Sequence, residues 1–472
     1  MKKLYLYGSG RRCRILLDLI PNSDYQIMGI IDSDNSKWGE KVEDYLITGP
    51  EILKKKLDVY VCVTFYSSLV LEPIWDTLAL EYGVAYERQL SFHDVLLDIY
   101  QKMLNGRKFV TSTKEKKVFF DASWGLTLGG VESWLKDMIC WCDQDGWNNF
   151  YLLSLKNQSN IHNTVEDHIV DYFYENTPSF SPEYINKGIR FLEQNAPCTL
   201  VFSRVDELLV SACLLKSQCP EKYKIIMVDH GSSDGMYRDI LSYREMIDKY
   251  VCVSSAIRKR LISYGVPAKK TFSMTIPMPY EKKISRTYSI NEEETIHLGY
   301  AGRLEVFEKR MDVMMQLIGE LERRNIKYIL EIAGEGSFYQ TLKRFIQEEG
   351  IEDHVILKGL LSRDSMGKFW QCQDIALNVS DNEGRPISNM EAMLNGAVPV
   401  VTETVGVLDD VHDKINGFVV PVCDYKSMTD KIEYLEQHRD LLPGMGKKAR
   451  EEIVKKIDLD DYMDMWKRIV NE

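Results

Sequence analysis

Short apolar runs recur along this chain, and each gives way to a longer stretch with apolar residues every three or four positions. The first rhythm predicts buried strands and the second amphipathic helices; their alternation predicts parallel sheets covered by helices. Near the start, KLYLYGSG reads as a strand ending in a glycine turn, RRCRILLDLI as a helix, and YQIMGIIDSD and VYVCVTF as further strands. A second series opens with KVFFDAS, passes through the glycine loop LTLGGVE into the helix ESWLKDMICWC, and continues with FYLLSL, TLVFS, KIIMVDHG and KYVCVSS. A third begins at TIHLGYAGRLEVFEKRMD and adds YILEIAGEG, HVILKGL, DIALNVS and VPVVT.

The pattern predicts an α/β protein of three Rossmann-like units. Residues 1–105 form a small accessory domain, and 117–290 and 291–455 form two equal halves facing one another across a cleft. A last amphipathic helix within 456–472 is expected to pack back on the 117–290 half. Asn105 to Lys117, NGRKFVTSTKEKK, reads as a basic linker. A chain of 472 residues exceeds one core, and 44% hydrophobic with 28% charged residues is ordinary for a globular protein. A net charge of -12 argues against a generic nucleic-acid binder. The ten cysteines are scattered without zinc-ligand spacing and read as thiols of a reducing cytoplasm. Arginines interrupt the N-terminal apolar run and no later run reaches about 18 apolar residues, so neither secretion nor membrane spanning is expected.

Candidate chemistry gathers in VSDNEGRPISNMEAMLNGAVPVVT, which carries Glu383 and Glu391. Spacing alone says little, because 71 acidic residues in 472 give roughly ten pairs at any chosen offset. Context says more. DIALNVS is a strand, DNEGRP the loop at its C-terminal end, and Pro386 suits the first turn of the helix that follows. In open α/β sheets ligands bind at that edge, and unpaired N–H groups near Ser388 favour an anion such as a diphosphate. Gly384 permits close backbone approach, while the two glutamates are placed to accept hydrogen bonds from hydroxyls. The bland alternative is a solvated acidic helix start. Arg303, just past a strand, and Lys309, six residues on, supply the two cations that a departing nucleotide diphosphate needs.

GRL followed by EK, then IAGEG, VILKGLLSRDSM, the Glu383 to Glu391 loop and GAVPVVT, occur in the order seen in glycosyltransferase family 4, retaining enzymes of the GT-B fold. The preceding half resembles that fold's N-terminal domain, with GGVE, VDHG and VCVSSAIRKRL before TIPMPY. The resemblance spans about residues 117–472. It implies that Arg303 and Lys309 bind the donor diphosphate. Glu383 and the backbone of Gly384, Arg385, Pro386, Ile387 and Ser388 would hold the transferred sugar and phosphate, Glu391 the ribose, and Gly359 to Leu361 the base. Gly129 and Gly130 would line the phosphates from the other half, and His230 would face the sugar. It further implies retention of anomeric configuration, a nucleotide-sugar co-substrate, expected to be a UDP-sugar, no other cofactor, and no metal. The departures are Val407 where a second glycine is common, Asp409 or Asp410 near the usual acid, Arg385 in place of an apolar residue, and Arg310 where glycine is frequent. They bear on which donor is used.

The first unit resembles the small N-terminal domain of bacterial sugar acyltransferases, without their hexapeptide repeats. Gly8, Gly10 and Asp32 match part of a dinucleotide fingerprint and mark a possible accessory nucleotide site, although Cys13 holds the third glycine's place. The DSD at Asp32 to Asp34 reads as a strand-end loop, not a metal motif. Two rival readings stand beside the transferase: a catalytically silent partner that binds a sugar nucleotide or stabilises another transferase, and a nicotinamide-dependent enzyme, which lacks a Tyr-x-x-x-Lys arrangement in the first unit. A glycan, a lipid-linked sugar or a protein is expected as acceptor. Arg258, Lys259, Arg260, Lys269 and Lys270 form either a solvated face or a contact with the anionic inner surface of the cell membrane.

Overall fold

The computed structural model describes residues 1–55, 58–65, 71–107, 115–126, 129–154, 167–172, 180–231, 234–291 and 293–472. Residues 108–114, most of the expected linker, and Thr127 and Leu128 of the glycine loop lie outside them. Three sheets account for the strands among the described residues. The first runs, edge to edge, Lys41–Val42, Tyr45–Thr48, Tyr25–Ile31, Lys2–Tyr7, Tyr60–Val63, Gln89–Ser91, parallel except for its outermost pair. The second runs Thr271–Ser273, Lys249–Cys252, Tyr223–Asp229, Cys198–Phe202, Lys117–Asp121, Phe150–Ser154, Ile169–Asp171. The third runs Val355–Gly359, Tyr328–Ala333, Ile296–Ala301, Ile375–Asn378, Val398–Thr402, Phe418–Val420, every neighbour parallel.

In each sheet the strand order reverses once beside the first strand, and loops leaving the two strands at such a switch point frame a crevice. The reversal falls between Lys2–Tyr7 and Tyr60–Val63 in the first sheet, Lys117–Asp121 and Cys198–Phe202 in the second, and Ile296–Ala301 and Ile375–Asn378 in the third.

The strands are buried on both faces, which is why they read as continuous apolar runs. In the third sheet Ile296, Leu298, Leu330, Ile332, Leu377 and Val400 pack with Met314, Leu317, Ile318 and Leu321 of the helix Met311–Arg323. Each such side chain stabilises the fold by about 1.5–3 kcal/mol relative to exposure. That helix stops at Arg324, with Asn325 beyond it in the left-handed region, while Tyr339–Glu349 stops at left-handed Gly350; both are residues that tolerate a positive φ after a helix.

The chain divides into two compact units, one of Met1–Asp229, Ser233–Val251 and Leu261–Thr271, the other of His230–Ser232, Cys252–Arg260 and Phe272–Glu472. The first two sheets thus share a unit, and a buried polar cluster joins them. Arg12 donates to both oxygens of Asp239, at 3.4 and 2.8 Å, across 227 residues of sequence. His93, wholly buried, lies 3.4 Å from the same carboxylate and 2.8 Å from the Tyr243 hydroxyl. The Arg238 guanidinium stacks on Trp75 at 4.0 Å, and Ser91 meets Ser242 at 2.8 Å. Tyr100 donates to the Phe180 carbonyl and Arg107 pairs with Glu193. The helix Asp234–Leu241 and the residues just after it are therefore gripped by the first sheet's domain.

Burial raises the pKa of Asp239, but His93 and Arg12 outweigh it and hold the group at about 2. A depressed carboxyl contributes stability above its unfolded pKa of about 3.9 and loses it as pH falls toward the folded value. Arg12→Met should therefore destabilise the first unit by about 3–5 kcal/mol near pH 7, because it leaves a buried charge short of its cation. The deficit should shrink between about pH 4 and pH 2. Chemical denaturation of both proteins at several pH values measures this, and a deficit independent of pH would disprove it.

Candidate active site

The third sheet's switch point carries the candidate residues. Arg303 follows Ile296–Ala301, and Asp381 to Ser388 follow Ile375–Asn378. Lys309 lies between two non-glycine residues in the left-handed region, Glu308 at φ 62° and Arg310 at φ 51°. Such residues cost free energy unless held, and both are held. The Glu308 carbonyl accepts from the Asp381 N–H at 3.0 Å, and Arg310 binds Asp312 at 2.8 Å and Asp381 at 3.3 Å. Glycine, which the resemblance leads one to expect at position 310, would adopt this positive φ freely; here Asp312 and Asp381 hold an arginine in it.

This turn aims the Lys309 ammonium at the Glu383 carboxylate, and the two form an ion pair with side chains only 18% and 15% exposed. Ser380 donates to the same Glu383 oxygen at 3.0 Å. Arg303 is more open, 59% exposed, and touches Glu308 at 3.3 Å. Two cations, one carboxylate and a helix start thus converge on one strand edge. Pro386 is the N-cap of the helix Ile387–Leu394, one residue earlier than the first-turn position expected, so Ile387 and Ser388 are its first two residues. Their N–H groups belong to the first turn, which lacks partners within the helix and suits phosphate oxygens.

Gly384 has no room for a side chain: a Cβ there would run into the carbonyl of His230, and one on Gly406 would run into the carbonyl of Gly384. The loop is thereby pressed between two backbones. His230 is held neutral near pH 7, burial having lowered its pKa to about 4, so it can serve a ligand as a hydrogen-bonding imidazole but not as a cation. Glu391 sits one turn along the helix, its pKa raised by burial, with Arg363 and the Trp370 indole acting the other way. Gly359 is left-handed at φ 64°, its carbonyl accepts from Gly334 N–H at 2.8 Å, and Leu361 packs with Phe369 and Trp370.

Arg385 turns inward. Its guanidinium, 5% exposed, grips both oxygens of Asp410 at 2.8 and 2.5 Å, the Val253 carbonyl at 3.0 Å and the Thr275 hydroxyl at 2.7 Å. Lys456 adds a second cation 3.1 Å from Asp410. Next door, Asp409 accepts from the backbone N–H and the hydroxyl of Ser255, at 2.6 and 2.5 Å. The departures at 385, 409 and 410 are thus joined in one network, and Val407 is buried in an apolar cluster. Any ligand contact at Arg385 falls to its backbone, not its side chain.

Gly129 and Gly130 lie in the first unit at the start of the helix Gly130–Gln144, where a Cβ on Gly129 would collide with Glu132. The Trp124 indole donates to that carboxylate at 3.3 Å and lies 3.7 Å beneath the Arg204 guanidinium. In the first sheet, Gly8 adopts φ 107° and Thr64 donates to its carbonyl. Asp32 already accepts from Ser9 N–H and hydroxyl, Asp34 N–H and Lys37. Burial raises its pKa, and those four bonds prevail and lower it. A ribose at Asp32 would have to displace one of them.

Ser380, Asp381 and Arg363 were not picked out by sequence. Asp381 carries a weak signal, standing two residues before Glu383, and Arg363 lies within the VILKGLLSRDSM motif, but only the fold shows that its charge acts on Glu391 from another helix.

Residues 281–452 match the family described as Glycosyl transferases group 1. The chain is 24% identical over 261 residues to the poly(ribitol-phosphate) alpha-N-acetylglucosaminyltransferase of Staphylococcus aureus, which is 53% of this chain and 51% of that one. It spans about half the length of that relative and less of others it matches. Anabaena HepE in complex with UDP and glucose superposes with a TM-score of 0.60 at 15% identity, covering 76% of this chain and all of that one. An S. aureus TarM mutant bound to Fondaparinux, alpha-GlcNAc-glycerol and UDP superposes over the full length of both chains, with a TM-score of 0.52 at 14% identity. The architecture is GT-B: two Rossmann-like domains, built on the second and third sheets, preceded by a further α/β domain.

Removing one partner of the buried pair tests the Arg385 network. Arg385→Met should cost about 3 kcal/mol or more, and the double variant Arg385→Met with Asp410→Leu should recover much of it. Thermal and urea unfolding read the coupling; additive losses would show that the pair is not a unit.

Proposed function

We propose that this chain is a retaining glycosyltransferase that moves a sugar from a UDP-sugar to a hydroxyl of a bacterial glycan or polyol-phosphate polymer. The observation that carries the reading is the convergence of Arg303, Lys309, Glu383 and the Ile387–Leu394 helix start on one strand edge. The group 1 match over 281–452 and the UDP-bound GT-B structures support it. The staphylococcal relative forms an α-linkage on poly(ribitol-phosphate); an α-product from an α-linked nucleotide sugar is what retention yields, and this motivates both the mechanism and the acceptor class.

In this reading Lys309 and Arg303 neutralise the diphosphate as its bond to the sugar breaks, and the N–H groups of Ile387 and Ser388 cradle the same phosphates. Glu383, fixed by Lys309 and Ser380, accepts hydrogen bonds from sugar hydroxyls and faces the positive charge that develops at the anomeric carbon. Neutral His230 orients the sugar, and Glu391 takes the ribose hydroxyls. The incoming hydroxyl attacks from the face that the nucleotide leaves, and a phosphate oxygen of the leaving group accepts its proton. With two cations on the diphosphate, the step is proposed to run without a divalent metal or other cofactor, and the ten cysteines fit a reducing cytoplasm.

Steady-state kinetics separate the two glutamates. Glu383→Gln should lower kcat, whereas Glu391→Gln should chiefly raise the donor KM, each by about ten- to a hundredfold for a charge-assisted hydrogen-bond pair of ~1.5–3 kcal/mol. Lys309→Ala should impair both. The reverse pattern, Glu391→Gln binding donor normally without turning over, would overturn the assignment. Turnover should also survive EDTA; complete loss restored by manganese would refute metal independence.

A further inference from the structure

A cavity of about 500 Å³ opens in the second unit, at the base of the third sheet's edge strand. Its floor is apolar, formed by Phe418, Leu441 and Met445, and its rim carries three lysines, Lys414, Lys431 and Lys448. Phe418 is the first residue of its strand, with Lys414 in the turn just before it, so the cavity lies at the N-terminal end of a parallel sheet. Arg303, Lys309 and Glu383 stand at the C-terminal ends of the strands, the opposite edge. This is a different place from the candidate active site.

The charge here is anomalous. The chain carries a net -12, yet none of these three ammonium groups has an ion-pair partner among the described residues. Nearby acids are engaged elsewhere: Asp430 and Glu433 with Arg324, Glu436 with Arg439, and Glu451 with Lys447. Among the described residues, Asp440 alone lines the cavity with opposite charge. Three cations converging on a concave wall raise the local concentration of anions, and lysine is a compact point-charge donor suited to phosphate.

The walls specify the rest of the ligand. Tyr434, 42% exposed, and Ile415, 54% exposed, leave apolar surface open to the cavity. Phe418 meets Tyr434 edge-on at 5.8 Å, Tyr434 stacks on His438 at 4.3 Å, and Lys431 lies 5.7 Å over Phe418. Rigid rings give flat surfaces for the C–H faces of a sugar or polyol, and lysines beside them fix an attached phosphate. The volume lies within the ~300–1,000 Å³ typical of small-molecule sites. A concave site of this size takes one such unit and not the flat surface of a bilayer.

We propose that this cavity is a second binding site, for a phosphate ester of a sugar or polyol. The phosphate sits among Lys414, Lys431 and Lys448, and the carbon skeleton lies on Phe418 and Tyr434. The assignment is independent of which reaction the candidate active site performs.

Calorimetric titration of the full-length protein with sorbitol 6-phosphate, in saturating UDP, tests it. Binding should persist with UDP present. It should be at least about tenfold tighter than for sorbitol or inorganic phosphate, and weaken with rising salt. The triple variant Lys414→Gln, Lys431→Gln, Lys448→Gln should lose at least about tenfold in affinity while binding UDP as before. Tyr434→Ala should weaken the ester but not inorganic phosphate, separating skeleton from charge. The proposal is overturned if UDP displaces the ester, if inorganic phosphate binds as tightly, or if the triple variant binds unchanged. Lysine-dependent binding to phosphatidylglycerol vesicles without binding of the soluble ester would overturn it equally, and would make the patch a lipid contact.

Discussion

Asp410 holds its carboxylate out of water in the grip of Arg385, and the candidate active site depends on that interaction. A buried carboxylate is tolerable only when paired and fully hydrogen-bonded. Here the requirement is met by Arg385 on both oxygens and Lys456 on one. Meeting it fixes Arg385, whose remaining donors reach Val253 and Thr275. The residue before Arg385 is then pinned with it, and Gly384 closes against the carbonyl of His230. Four stretches distant in sequence, around 230, 253, 384 and 410, thereby have one arrangement available.

Within that arrangement the polar groups divide by their surroundings. Lys309 and Glu383 face each other partly exposed, where both can exchange partners with a ligand at modest cost. Arg385 and Asp410, nearly sealed, cannot. Two arginines adjoining the site thus act as structure, Arg385 under the loop and Arg310 at the head of a helix, while Arg303 is left open. The left-handed backbone at Glu308 and Arg310 is the local cost of aiming Lys309, and Asp381 and Asp312 offset it.

The first domain is bound into its unit by similar physics. Arg12, His93, Asp239 and Tyr243 form a sealed polar cluster whose members lie up to 231 residues apart. It grips the helix Asp234–Leu241, which begins four residues after His230. A basic linker and an independent strand-helix pattern suggested a self-contained module, yet a chain cut after that module would expose Asp239, Tyr243 and Phe180 surfaces now covered by Arg12, His93 and Phe92.

How much of this was legible in sequence depends on the range of the force involved. Strand and helix periodicity, the glycine turns, the strand-end placement of Arg303, Lys309 and Glu383 and the helical placement of Glu391 are set within a few residues, by backbone sterics and one-face burial. They could be read directly, as could the GT-B resemblance that their order carried. The oddities at 310, 385 and 410 were equally visible but had no local meaning: they read as clues to the donor. Only the folded chain shows that Arg385 and Asp410 satisfy each other, that Arg310 is fastened by Asp312 and Asp381, and that Asp32 is occupied by Ser9 and Lys37. Sequence determined which residues are polar and which segments alternate as strand and helix. Tertiary structure decided which polar groups spend their hydrogen bonds inside the protein and which are left for a ligand, because a buried charge is paired by whatever partner the fold brings within about 3 Å, however far away it lies in the chain.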